Sequence, residues 1–184
     1  MQPHTAHPVP RFARALVVCA APLTALAVLV TALTLATARP AAAQDGFGDG
    51  PAKVVYHADF EDPRRFSAML TSVYNMVTTY RNDLRDYDVR IVFNSYGIRF
   101  LTDNELEDTP FETDAELREN RENLRGRLMS LQNTYDVELE LCDITRERVK
   151  LPKDEIYDGV DSVTSGVVRV AELQSEGFAY IKIE

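Results

Sequence analysis

The sequence predicts an α/β domain with a parallel sheet, and three observations carry that reading. From Lys53 onward, short β-branched runs alternate with amphipathic helical stretches, an order that favours parallel strands covered by helices on both faces. The turn-forming residues fall between these runs rather than inside them. At 184 residues the chain has the length of one domain.

The elements follow in sequence order. Lys53-Val54-Val55-Tyr56-His57 is an apolar, β-branched run and reads as the first strand. Between Arg64 and Arg81, Phe66, Met69, Leu70, Val73, Val77 and Tyr80 recur at helical spacing, with Pro63 placed to start the helix. Val89–Phe93 is a second strand ending at Asn94-Ser95-Tyr96-Gly97, and the acidic stretch 102–114, broken by Pro110, reads as a loop. Thr113 and Glu116 have the spacing of a capping box, ahead of a long helix marked by Leu117, Leu124, Leu128 and Leu131. Val137–Cys142 alternates as a third strand, a short turn follows near Pro152–Tyr157, and Val160–Val163 is a brief fourth strand. Ser165 is placed to cap a helix carrying Val167, Val170, Ala171 and Leu173, which Gly177 ends in left-handed geometry. Ala179–Ile183 is the last strand.

The first 43 residues read as a signal peptide. Arg11 and Arg14 precede the uncharged run Ala15–Ala38, and Ala41 and Ala43 supply the small-residue spacing of a cleavage site. Residues 44–52, with Gly46, Gly48, Gly50 and Pro51, read as a flexible linker, leaving 53–184 as the α/β domain. The expected location is periplasmic or secreted. The alternative is an uncleaved membrane anchor, since the run exceeds the roughly 20 residues that span a bilayer, with the domain still outside the cytoplasm.

Cleavage removes Arg11, Arg14 and Arg39 and no acidic residue, so the formal net charge moves from −9 to −12. So acidic a surface repels nucleic acid and anionic lipid. His4, His7 and Cys19 leave with the signal, so the mature chain keeps one histidine, His57, and one cysteine, Cys142. A lone cysteine forms no internal disulfide, and in an oxidising compartment it is either an inert buried thiol or a reactive one. One histidine and one cysteine assemble no zinc site from the usual ligands. No phosphate-binding glycine loop or nucleophile-elbow motif is present, so neither a metal nor a nucleotide cofactor is expected.

In open parallel sheets ligands bind beyond the carboxyl ends of the strands. His57 ends the first strand and Cys142 the third. With the common strand order 2-1-3-4-5 these strands are neighbours about 5 Å apart, placing both residues at one crevice. A thiol acts as its thiolate, which a nearby cation stabilises, so Cys142 and His57 are the catalytic candidates. Arg146 is the candidate anion-holding residue. Asn94, Ser95 and Tyr96, at the end of the second strand, are candidate pocket groups for a polar ligand. The competing reading makes Cys142 a small packed residue and His57 a loop-bonded one.

The closing string Val163-Thr164-Ser165-Gly166-Val167-Val168-Arg169-Val170-Ala171-Glu172-Leu173-Gln174-Ser175-Glu176-Gly177-Phe178-Ala179-Tyr180-Ile181-Lys182 resembles the terminal signature of DsrE/DsrF-like proteins, with Thr164 where that pattern has proline. Lys53–His57 resembles the family's opening strand, and Asn75 and Tyr96-Gly97-Ile98 fit further positions. Cys142-Asp143-Ile144-Thr145 is similar to the family's C-G-N-T motif, keeping its cysteine and threonine. The resemblance implies a three-layer flavodoxin-like domain with a parallel five-stranded sheet, assembled as a trimer or hexamer. It also implies relay of sulfur as a cysteine persulfide on Cys142, between donor and acceptor proteins. A non-catalytic binding or assembly module of the same fold is the alternative, so whether the protein is an enzyme stays open.

Overall fold

A computed structural model describes residues 50–184. The expected signal segment 1–43 and most of the expected linker 44–52 lie outside the described residues. Ala52, read as linker, is instead the first residue of strand β1 (Ala52–Ala58), where it is buried and its amide donates to Asp86 O at 2.9 Å. The remaining strands are β2 (Tyr87–Phe93), β3 (Glu138–Cys142), β4 (Val160–Val163) and β5 (Ala179–Ile181). All four pairings between these strands are parallel, in the order β4-β3-β2-β1-β5. The common order 2-1-3-4-5 is therefore not the one adopted, and β2 lies between β1 and β3.

Two long helices cover one face. Helix α1 (Pro63–Asn82) starts where Asp62 accepts from the amides of Arg64 and Arg65, and it buries Phe66, Met69, Leu70, Val73 and Val77. Helix α2 (Ala115–Tyr135) buries Leu117, Leu124, Leu128 and Leu131. Arg127 ties the two helices together, donating to Ser67 Oγ at 2.6 Å and Thr71 Oγ1 at 2.8 Å. This face holds the larger core, with Phe66 stacked on Phe100 at 4.0 Å between ring centres. A short helix α3 (Asp143–Arg148), absent from the sequence reading, and a 3-10 turn (Lys153–Glu155) link β3 to β4. Helix α4 (Gly166–Ser175) then returns across the other face, burying Val170 and Leu173 against Val55, Val92 and Phe178. Right-handed crossovers explain the layering: β1 to β4 step one way across the sheet and α4 steps back, so it must lie on the opposite face. No helix among the described residues is long and apolar enough to cross a membrane.

The cap of α2 differs from the capping box read at Thr113. Asp114 is the N-cap and accepts from Leu117 N at 2.8 Å, while Thr113 accepts from Arg121. The buried guanidinium of Arg99, 2.6 Å from Asp114 Oδ2, decides the choice. Partial burial alone pushes the Asp114 carboxyl up, but the Leu117 amide and Arg99 outweigh it and hold it below its ordinary value. A lowered carboxyl contributes stability that is present above its unfolded-state value, about 3.9, and is lost as pH falls through the folded-state value. Asp114→Ala is therefore expected to cost about 1 kcal/mol at neutral pH. It should also flatten the acid limb of the stability curve below that pH, read from urea midpoints. An acid limb as steep as wild type would contradict this role.

Candidate functional site

Alternation along the strands sends Val54, Tyr56 and Ala58 to the α1/α2 face and Val55 and His57 to the α4 face. The same parity puts Asn94, which follows β2, and Glu140 and Cys142 of β3 on the α4 face. His57, Asn94 and Cys142 thus stand at the carboxyl edge of three successive strands. The imidazole and the thiol share a rim, as expected, but they are not adjacent. With β2 between them their strands are about 10 Å apart, and the group between them is Asn94.

Hydrogen bonds fix this arrangement. His57 Nε2 lies 3.0 Å from Asn94 Oδ1, and His57 Nδ1 lies 3.2 Å from the Tyr180 hydroxyl. An amide oxygen only accepts, so Nε2 carries the proton, and in the neutral ring Nδ1 accepts from Tyr180. Asn94 is 8% exposed. Its backbone is pinned by Asn94 N to Ala58 O at 3.1 Å and Gly97 N to Asn94 O at 2.9 Å. The next residue, Ser95, has φ +49°, a left-handed conformation that L side chains adopt at a cost. It is held there by its amide, which donates to Thr145 Oγ1 at 3.0 Å. Thr145, the threonine retained in the motif 142–145, therefore anchors the strand end that presents Asn94.

Cys142 ends β3, is 5% exposed, and caps no amide with its side chain. The first residue of α4 closes over it. A Cβ on Gly166 would lie 3.1 Å from the Cβ atoms of both Asn94 and Cys142, and 3.5 Å from Asn94 Nδ2. An added methyl at Gly166 would make one of these two side chains give by a few tenths of an ångström, so the glycine lets α4 pack tightly here. One pleat below Cys142 on the same face, Glu140 is buried and takes Arg169 of α4 at 2.8 Å and Arg90 of β2 at 3.0 Å. The Glu140 hydrogen bond is the main reason the Arg169 guanidinium is held above its ordinary value.

The other candidates fall elsewhere. Arg146 is buried and committed to its own segment, donating to Asp143 Oδ1 at 2.9 Å, Leu151 O at 3.0 Å and Glu147 Oε1 at 3.3 Å. It lines a cavity of about 230 Å³ with Leu141, Tyr157 and Ser162, and Leu141 belongs to the core on the face opposite Cys142. Tyr96 packs edge-on against Phe111, 5.3 Å between ring centres, at that same larger core. Tyr180, read as a strand residue within the closing signature and not as a site residue, joins the site because β5 pairs with β1. No cluster of metal-ligating side chains is found among the described residues.

A family model described as the DsrE/DsrF-like family matches residues 53–183. The chain belongs to that family. The DsrE-like fold also appears in a protein of unknown function, MTH1491 from Methanobacterium thermoautotrophicum. It is 26% identical, with a TM-score of 0.54 over 71% of this chain and 98% of that one. The YchN protein of E. coli is similar at 17% identity and a TM-score of 0.49, covering 72% of this chain and 99% of that one. No curated protein matches the chain. DsrE-like membership associates this α/β domain with sulfur relay at the level of the family.

Proposed function

We propose that this DsrE-like protein is an exported sulfur carrier in which Cys142 accepts and donates sulfane sulfur. The observation that carries the reading is the position of Cys142. It stands at the ligand-binding edge of a parallel sheet, beside a polar side chain fixed by two further residues. The Cys142 thiolate attacks the outer sulfur of a persulfide donor, R–S–SH. The donor's S–S bond breaks, R–S⁻ departs with the bonding pair, and Cys142 holds a persulfide. Delivery to an acceptor thiolate is the same exchange in reverse, so no external oxidant or reductant is needed. Donor and acceptor proteins are the expected partners.

Treating the mature protein with glutathione persulfide and measuring intact mass tests the carrier reading. One added sulfur atom on wild type and none on Cys142→Ala is the expected result. No adduct on wild type, or equal loading of the variant, rejects it.

The 5% exposure of Cys142 favours a second reading, in which the thiol is packing and the domain is an assembly module. Val167, Val168 and Ile144 are 66%, 55% and 58% exposed around the same edge, an apolar rim suited to further copies of this chain. The expected assembly on either reading is a trimer or hexamer. Cys142 that resists alkylation until denaturation, in a protein whose mass by light scattering is a multiple of the monomer, would select the second reading. The amino-terminal residue of the secreted protein decides cleavage after Ala43.

A further inference from the structure

The chain Tyr180–His57–Asn94 ends in an amide nitrogen, Asn94 Nδ2, that bonds no protein group among the described residues. Asn94 Oδ1 is taken by His57 Nε2, which orients the amide and leaves Nδ2 on the side of Gly166, the residue that also packs against Cys142. Asn94 is more than nine-tenths buried, yet its Nδ2 donates to no protein group among the described residues. The side chain beside it is Cys142, with both Cβ atoms 3.1 Å from the position a Gly166 Cβ would occupy.

We infer that Asn94 Nδ2 is the donor that holds a sulfur anion at Cys142, the thiolate before loading and the terminal persulfide sulfur after it, and that His57 and Tyr180 are positioning residues acting through Asn94. This rests on the sulfur-carrier reading for its ligand and changes the part His57 plays. The imidazole does not take the thiol proton, because its Nε2 is already bonded to Asn94 and β2 separates the two strands. Instead it locks which end of the amide faces the sulfur. A neutral Nδ1 accepts from Tyr180, and a protonated one donates to it, so the hydroxyl keeps the ring in place in either charge state. The neighbouring ionisable groups leave this task to a neutral donor. Glu140 below Cys142 is matched by Arg90 and Arg169, and Asp143 after it is matched by Arg146.

The test is the ratio of Cys142 alkylation rates by iodoacetamide at about pH 7 and about pH 10.5. At the higher value any ordinary thiol is ionised, so changes in access cancel in the ratio. Asn94→Ala should lower the ratio about tenfold, as expected for losing a hydrogen bond to a charged acceptor. Tyr180→Phe, at a partly exposed position, should lower it about threefold while leaving the thermal midpoint unchanged. His57→Ala should lose most of the ratio. His57→Gln, whose amide N–H can still bond Asn94 Oδ1, should restore it to within about twofold of wild type. An unchanged ratio in Asn94→Ala and Tyr180→Phe overturns the inference, and His57→Gln behaving like His57→Ala overturns the positioning role. Alkylation needs no sulfur donor. Wild type that fails to load with persulfide but shows this pattern of ratios would therefore reject the carrier reading alone.

Discussion

Replacing Glu140 with alanine is expected to lower the unfolding free energy by about 3 kcal/mol, at the lower end for breaking a buried ion pair from one side. The carboxylate is 4% exposed and serves two guanidinium groups from different elements, Arg90 on β2 and Arg169 on α4. Removing it leaves two largely buried cations facing each other across a gap. The loss stays at the lower end because both keep other partners nearer solvent. Arg90 retains Asp88 and Glu138, and Arg169 retains Glu172 and Glu176 at 3.9 and 3.7 Å. Denaturant midpoints in low and high salt check this. A surface pair would be screened at high salt, whereas the Glu140 effect should persist. A loss under about 0.5 kcal/mol would place the cluster among ordinary surface ion pairs. Because α4 also covers Cys142, Glu140→Ala should expose that thiol to native-state alkylation faster than wild type.

The same residue shows where sequence reasoning stops. The alternation Val137-Glu138-Leu139-Glu140-Leu141-Cys142 correctly marks a strand, since a period of two with β-compatible apolar positions is a local property. It also suggests that Glu140 faces water, and it does not. Burial of that face depends on Arg169, 29 residues further on, docking above it. Lateral strand order is likewise invisible to periodicity: each strand looked right alone, yet β2 and not β1 neighbours β3. The separation of His57 from Cys142 and the intervening role of Asn94 follow from that one fact. Asp114 outcompetes Thr113 as a cap because of a buried arginine supplied from another segment. Tyr180 enters the site only through the pairing of the first strand with the last. By contrast, the cap at Ser165, the left-handed Gly177 at φ +92° and the two long helices were readable, because each is decided within a few residues.

Gly97→Ala is expected to be the most damaging single methyl in the domain, and it joins stability to the site. A Cβ there would sit 2.0 Å from Ala58 O and 3.0 Å from Ala58 C. These are backbone atoms at the end of a strand paired along its whole length with β2, so no side chain can turn aside to make room. Either the 3-10 segment Ser95–Phe100 or the end of β1 must move, at a cost of about 3 kcal/mol or more. Gly126→Ala provides the contrast. Nothing lies within 4 Å of its Cβ position, in the middle of α2, so the same added methyl should stabilise by roughly 0.5–1 kcal/mol through helix propensity. Urea midpoints of the two variants should therefore move in opposite directions, and movement in the same direction would show that the close approach at Gly97 is not a constraint. The segment that must move also carries Asn94 through Gly97 N to Asn94 O and Asn94 N to Ala58 O. Folded Gly97→Ala should accordingly show the lowered alkylation ratio of Asn94→Ala with His57, Asn94 and Cys142 all chemically intact, because the glycine fixes the height at which the amide meets the sulfur.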